Sequence, residues 1–388
     1  MKTKKTLIFH DAFIYRSGTE RININMANIF DADIATAIWS ANSYEGFELG
    51  FHGKVIELFT KFYESGFGFL RMKWKFFFSG KITRNYERII FSNEALTAIH
   101  HVPKGTETIY YAHTLPHELF DKREEYMKTV PVFFREVYAL TIRIRRWFYL
   151  SELKKVGKIM TNSKMNRNWL EKWCHRSDIQ VIYPPVNMLR FRPQKVKQPF
   201  IIQEHNNVES VIEKEIKDYY ISSSRLKKNK RIERIIHAFV HMPEKNLIIL
   251  YNPHDSEKQT LMRMASGHNN IFFHHEPTDM RMSQIIANSV ATISLAKDEN
   301  FSMVSIESMA CGIPMISVNE GASKESIIHE KTGILMPSDF TVYTIIDTVR
   351  SMTPEKSLSM KEACIARGKE FSLERFSHEL REYIENRE

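Results

Sequence analysis

Three cysteines in 388 residues, Cys174, Cys311 and Cys364, leave no room for a disulfide framework, and their spacing matches no zinc site. That usage suits a reducing compartment, so the expected location is the cytoplasm. Long apolar runs are absent too. No stretch reaches the roughly 18 to 20 apolar residues that a spanning helix requires, so any membrane contact would be peripheral, on the inner face of the cell membrane. The amino terminus, MKTKKTLIFHDAF, follows its basic residues with a continuous apolar run only from Leu7 to Phe9, which reads as a first strand and not a signal peptide. Glycine and proline are sparse, at 14 and 13 residues, and no biased tract suggests disorder or a repeat array.

What is present is a folded composition, 43% hydrophobic and 26% charged, with a formal net charge of +9. The positive balance favours anionic partners; nucleotides, anionic lipid surfaces and nucleic acids all qualify, and charge alone does not choose among them. No recognised nucleic-acid module accompanies it, so nucleic acid is not an expected partner. A chain of 388 residues exceeds the size at which one core keeps growing, and two domains follow. Short apolar runs alternate with helical patterns from end to end, the pattern of α/β folds with parallel sheets covered by helices. Strands are expected at residues 5–9, 34–39, 88–92, 107–112, 158–162 and 179–183, then at 218–223, 246–251, 270–274, 290–295, 313–318 and 333–336. Between the halves lies YPPVNMLRFRPQKVKQP, where Pro184, Pro185, Pro193 and Pro199 break both kinds of element. The expected domains are therefore residues 1–185 and residues 186–365, with a closing segment, 366–388.

Open α/β sheets bind ligands just past the carboxyl ends of their strands. The segment SLAKDENFSMVSIESMACGIPM, from Ser294, meets that condition. A strand gives way to a loop carrying Glu299 and then to a helix starting near Ser302, so Glu307 lies about one turn inside it. A helix start offers unpaired N–H groups and partial positive charge, a ready site for a diphosphate flanked by the two carboxylates. At this point the sequence resembles the large retaining glycosyltransferase family 4, whose hallmark is a Glu, seven residues, then a Glu, in a context like EGFGLVxLEAMAxGxPV. Glu299, Phe301, Val304, Glu307, Met309, Ala310, Gly312 and Pro314 match. Asn300 and Ser302 replace the usual glycines; Asn tolerates left-handed backbone and Ser can cap a helix. The resemblance implies that Asn300, Phe301, Ser302, Met303, Val304 and Glu307 line the donor site and that Glu299 acts at the sugar.

Further matches carry the resemblance along most of the chain. SSSRLKKNKRIERIIHAF sets Arg225 and Lys230 between a strand and an amphipathic helix, where the family's Arg and Lys bind the donor diphosphate. Their neighbours Lys227, Lys228 and Arg231 read as a solvated basic loop. YRSGTER is similar to the family's GGAE loop: Gly18 would let the backbone approach a phosphate or the transferred sugar, although an N-capped helix start explains the string too. In IYYAHTLPHELFD, which resembles a segment of polysaccharide and lipid-linked glycan enzymes, His113 would reach the donor sugar, the alternative being a structural histidine. TNSKMNRNWL followed by VIYPPVN resembles a stretch that ends the acceptor domain without supplying chemistry, and FSLERFSHELREYIENRE looks like a terminal helix crossing back to the first domain.

The fold implied is GT-B, two Rossmann-like parallel-sheet domains facing a central cleft. Arg225, Lys230 and the helix amides would do a cation's work on the leaving diphosphate, each aimed donor contributing about 3 to 4 kcal/mol, so no metal and no other cofactor is expected. Asp31 and Asp33 mimic a metal-binding DxD but precede a strand. The resemblance implies a retaining hexosyltransferase in cell-surface polysaccharide synthesis, with GDP-mannose the leading donor and UDP-sugars the alternative. The acceptor would be a glycan or lipid-linked saccharide. Residues 67–78 and 132–150 mix aromatic with basic residues, which suits an interfacial surface on anionic lipid or, alternatively, packing in the first core. A nucleotide-sugar 2-epimerase shares the architecture without this glutamate pair, and a phosphorylase would be longer and bind a pyridoxal cofactor.

Overall fold

A computed structural model of the chain describes residues 4–44, 46–59, 66–205, 211–276 and 278–385. They divide into two compact units, residues 1–183 with 379–388, and residues 184–378.

The first unit is built on seven parallel strands: β1 (Thr6–His10), β2 (Asp33–Thr36), β3 (Val55–Glu57), β4 (Arg88–Ser92), β5 (Glu107–Ala112), β6 (Lys158–Thr161) and β7 (Ile179–Val181). Their order is β3-β2-β1-β4-β5-β6-β7. Every residue of β1 and β4 is buried, as a strand covered by helices on both faces requires. β3, which the pattern of apolar runs did not predict, is a three-residue edge strand with no fully buried position, so it leaves no apolar signature.

The second unit repeats the plan. Its strands β10 (Tyr219–Ser223), β11 (Asn246–Leu250), β12 (Ile271–His274), β13 (Thr292–Ser294), β14 (Met315–Val318) and β15 (Gly333–Met336) run parallel in the order β12-β11-β10-β13-β14-β15. Before them stands an antiparallel hairpin, β8 (Phe200–His205) with β9 (Val211–Ile216), also unforeseen. In both sheets the strand order reverses beside the first strand, between β1 and β4 and between β10 and β13, and such switch points open the crevice in which doubly wound folds bind ligands.

Local chemistry explains the elements that hold the second switch point. The helix Ile232–Val240 buries Ile232, Ile235, Ile236 and Phe239, spaced for one face, and each contributes about 1.5–3 kcal/mol of burial. Its end is tied down by Asn270, whose side-chain amide donates to the carbonyls of Phe239, Met242 and Lys245 at 2.9, 3.0 and 2.9 Å. The proline-rich stretch after Tyr183 is no loose tether. Val186 N–H donates to Phe371 O at 2.8 Å, Arg190 O accepts from Ser283 Oγ at 2.6 Å, and Phe191 is buried, so the stretch packs as part of the second unit. The closing helix Leu373–Glu385 starts in the second unit and ends in the first, where Tyr383 Oη donates to Ile159 O at 3.0 Å. Residues 366–369 are the end of the preceding helix, Pro354–Lys369.

Candidate active site

Arg225 and Lys230 follow β10 and Glu299 follows β13, so both motifs of the second unit fall on its switch point. Lys230 closes a single tight turn, Lys228–Lys230, and its ammonium is ion-paired and hydrogen-bonded to Glu299 Oε2. The loops are also joined through the backbone, Lys297 N–H donating to Asn229 O at 2.8 Å. Arg225 stands beside Asp255, Nε to Oδ1 at 3.6 Å. The Asp255 side chain is fully enclosed; its Oδ2 accepts from Asn252 N–H at 2.9 Å, while Oδ1 has no hydrogen-bond partner among the described residues and faces the guanidinium.

Of the neighbouring cations, Lys227 and Lys228 are exposed as expected. Arg231 is not solvated. It has a left-handed backbone (φ 53°), its guanidinium pairs with Glu320 Oε2 at 3.1 Å and lies over the Phe340 ring at 5.5 Å, and it stands at the start of the helix Ile232–Val240.

The glutamate loop is fixed from below. Gly321 adopts φ +59°, and a Cβ there would lie 2.8 Å from Glu299 O and 2.9 Å from Glu299 N, so only glycine lets this backbone pass. Ala322 N–H donates to Glu299 O at 2.9 Å. The helix that follows is Met303–Ala310. Ser302 occupies its cap position, but its side chain makes no capping hydrogen bond, and the left-handed residue of the loop is Asp298 (φ 55°), two places before Asn300. The two departures from glycine are thus absorbed differently from the sequence expectation. Asn300 Oδ1 is buried and has no hydrogen-bond partner among the described residues. Phe301 is buried 5.8 Å from the Phe371 ring, Met303 and Val304 stay half-buried, and Glu307 is 3% exposed, one turn inside the helix. The helix start thus follows Glu299 in the chain by four residues, and Glu307 lies one turn inside it.

Within the first unit, taken by itself, a separate polar group gathers at the ends of β1, β4, β5 and β6. Gly18 is the first residue of the helix Gly18–Phe30, with Ser17 at the cap position making no side-chain bond. His113 follows β5 and is buried, and neither ring nitrogen has a hydrogen-bond partner among the described residues. Its ring lies 4.0 Å from that of Tyr111. Burial, then the nearby His10, lowers its pKa to about 3, so the imidazole is neutral near pH 7. Asn162 Nδ2 donates to His113 O at 3.1 Å and is itself held by Asn166 at 2.7 Å, so Asn162 braces the His113 loop as well as ending β6.

Sequence reasoning missed the groups beside it. His10 Nδ1 lies 3.1 Å from Ser92 Oγ and 3.2 Å from Asn23 Nδ2, and burial lowers its pKa to about 3. Asp11 accepts from Ala95 N–H at 2.7 Å. It is surrounded by protein, though part of its surface stays open to solvent. Burial, then the Glu94 carboxylate, raises its pKa to about 8 against the pull of the Ala95 and Glu94 amides and of Lys73. The only signal available in sequence was position: both residues stand at the end of the first strand.

Metal-like patterns resolve into other work. Asp31 is the left-handed cap of the helix Gly18–Phe30, and Asp33 accepts from Lys54 N–H at 2.8 Å and Tyr86 Oη at 2.7 Å, at the start of β2. Among the described residues no cluster of three His, Cys, Asp or Glu could hold an ion. No helix among them is long and apolar enough to cross a membrane.

A glycosyltransferase of GT-B fold is the class of enzyme that these two doubly wound units represent. Residues 204–371 match the family described as Glycosyl transferases group 1, and so contain the basic loop and the glutamate loop. Among curated proteins the chain is similar to alpha-1,3/1,6-mannosyltransferase ALG2 of Homo sapiens, 23% identical over 304 residues that cover 71% of this chain and 67% of that protein. The match to ALG2 of Mus musculus is 24% identical and spans 34% of this chain and 32% of that one. Among solved structures, sucrose-phosphate synthase from Thermosynechococcus elongatus superposes with a TM-score of 0.73 at 13% identity over 98% of each chain. Anabaena HepE in complex with UDP and glucose superposes at 0.71 with 15% identity, over 99% of this chain and 100% of that one. WaaG, a glycosyltransferase involved in lipopolysaccharide biosynthesis, superposes at 0.68 with 13% identity, over 98% of this chain and 99% of that one.

Proposed function

We propose that the chain is a retaining glycosyltransferase of family 4 that moves mannose from GDP-mannose to a glycan or lipid-linked saccharide in cell-surface polysaccharide synthesis, working at an anionic membrane surface. The observation that carries this reading is the ion pair between Lys230 and Glu299, which joins the two donor motifs at one switch point. In this scheme Arg225 and Lys230 neutralise the diphosphate, the amides around Ser302 and Met303 bind its oxygens, Glu299 takes the sugar hydroxyls and Glu307 the ribose. Charge that develops on the leaving diphosphate meets donors already aimed at it, which is why the scheme needs no metal. Gly18 and His113 of the first unit serve the transferred sugar, His113 as a neutral imidazole with both nitrogens available for hydrogen bonds. Attack comes from the front face, with a donor phosphate oxygen accepting the acceptor's proton.

The mannosyltransferase names of the two curated relatives support mannose as the transferred sugar. A UDP-sugar is the second reading, favoured by the UDP and UDP-glucose held by Anabaena HepE. Thermal unfolding of the protein with GDP, GDP-mannose, UDP and UDP-glucose decides between them, since a ligand at 100 times its Kd adds about 2.7 kcal/mol. A rise with guanine nucleotides alone is expected. A rise with uridine nucleotides alone transfers the proposal to UDP-sugars, and no rise with any of the four refutes the site.

A further inference from the structure

We propose that the outer face of the helix Arg135–Lys155, together with the turn Val132–Phe134 before it and Trp74 and Phe78 beside it, is the surface by which this chain docks on an anionic lipid bilayer. The proposal deepens the membrane element of the function above and rests on that reading for nothing else.

The helix Arg135–Lys155 is apolar on two sides. Ala139, Ile142, Tyr149 and Leu153 are buried, which accounts for one side. Val137, Leu140, Ile144 and Trp147 recur at intervals of three and four residues, forming a stripe about 100° wide on the other side, and all four are exposed. Phe133 is 94% exposed and Val132 69%, directly before the helix. Nine of the eighteen exposed large apolar side chains among the described residues lie between Tyr126 and Phe148, a concentration that single scattered apolar residues do not produce.

The second aromatic segment reaches the same place. Trp74 and Phe78 are exposed and stacked at 5.6 Å. Phe78 stacks near His101 at 6.1 Å, Phe77 contacts His100 at 5.0 Å, and His100 lies 6.2 Å from Phe148, which meets Trp147 at 5.0 Å. One chain of rings therefore joins two stretches that are about sixty residues apart in sequence. The side chains of residues 67–70, part of the first stretch, lie outside the described residues.

Charge selects the occupant. Residues 71–84 hold five Lys and Arg and no acid, and residues 121–155 hold nine against five. A second copy of the chain would bring the same positive charge against this surface, which like-charge repulsion opposes. An anionic bilayer satisfies both features: lysine and arginine meet the headgroups while Trp, Phe and Ile enter the boundary with the acyl chains, the interface at which tryptophan concentrates.

Vesicle sedimentation of the full chain tests this, with phosphatidylcholine alone and with about one-third phosphatidylglycerol. Wild-type protein should sediment with the anionic vesicles and stay in solution with the neutral ones. The surface variant F133S with W147S should partition at least tenfold less, as should charge reversal by K81E with K154E. Donor-induced thermal shifts should be unchanged in all of them, which separates this surface from the donor site: loss of donor binding with vesicle binding intact overturns the function above and not the docking face. Vesicle binding by the variants equal to wild type overturns the proposal, as does a wild-type chain that ignores anionic vesicles. A dimer that dissociates in F133S with W147S, in a protein that binds no vesicles, overturns it in favour of a second copy.

Discussion

Replacing Lys230 by alanine removes the positive partner of Glu299 at the second unit's switch point. Only 19% and 18% of the two side chains is exposed, so the pair stands between a surface ion pair, which contributes about 0.2–1 kcal/mol, and a buried one, whose rupture costs about 3–5 kcal/mol. A coupling near 1–3 kcal/mol is therefore expected between the sites. If Lys230 also stabilises a departing diphosphate, Lys230→Ala lowers kcat/KM by one to three orders of magnitude, about 1.4–4 kcal/mol. Glu299→Gln should do the same through the sugar. The double variant should be impaired less than the product of the singles, because the ion pair is already lost in either one. Initial rates of nucleotide diphosphate release for the four proteins close the cycle, with thermal unfolding run beside them to exclude loss of fold. Wild-type kcat/KM in both singles, or strictly multiplicative effects, would refute the shared site.

Glu307→Ala should weaken donor binding by about tenfold or more while the fold survives; a fluorescence titration showing wild-type affinity removes Glu307 from the ribose. Transfer should persist in saturating EDTA, and activity abolished by chelation and restored by manganese or magnesium would show that the basic loop does not stand in for a cation. His10 and His113 have pKa values near 3, below the ordinary value of about 6.5, so protonation opposes the fold: stability is complete above about 6.5 and is lost as pH falls toward 3. His113→Gln should therefore move the acid unfolding midpoint, followed by circular dichroism, to lower pH, and an unchanged midpoint contradicts the burial argument. Asp11 has the opposite sign. Its pKa near 8 lies above the ordinary carboxylate value, so its contribution is favourable at low pH and declines as pH rises toward 8; Asp11→Asn should raise Tm near about pH 9 and change it little near about pH 4.

The α/β class and twelve of the fifteen described strands were legible, because strands covered on both faces must be continuously apolar, as TLIFH of β1 and NLIIL of β11 are. β3 and the hairpin β8–β9 were not: one is a three-residue edge, and the other stands outside the two parallel sheets. Of the candidate site, position after strands pointed to the loops that carry Arg225, Lys230 and Glu299 and to the helix that carries Glu307, since a crevice at strand ends is a property of the fold class, and the family resemblance singled out those residues within them. Asp255, Gly321, His10 and Asp11 could not. A buried carboxylate behind an arginine is written in sequence like any turn aspartate, and a glycine that admits another backbone is written like any glycine.

By itself, then, the sequence determined the periodicities, the turn chemistry and the motif spacing, all of which are local. Tertiary structure alone decided the contacts between residues far apart in the chain. The salt bridge of Lys230 with Glu299 spans 69 positions, and the His10, Ser92 and Asn23 cluster spans 82. The meeting of Trp74 and Phe78 with Trp147 and Phe148 through His100 and His101 is of the same kind. Such pairings follow from strand order and helix packing, which apolar periodicity constrains without choosing, because many registers bury the same residues while only one brings these polar and aromatic groups together.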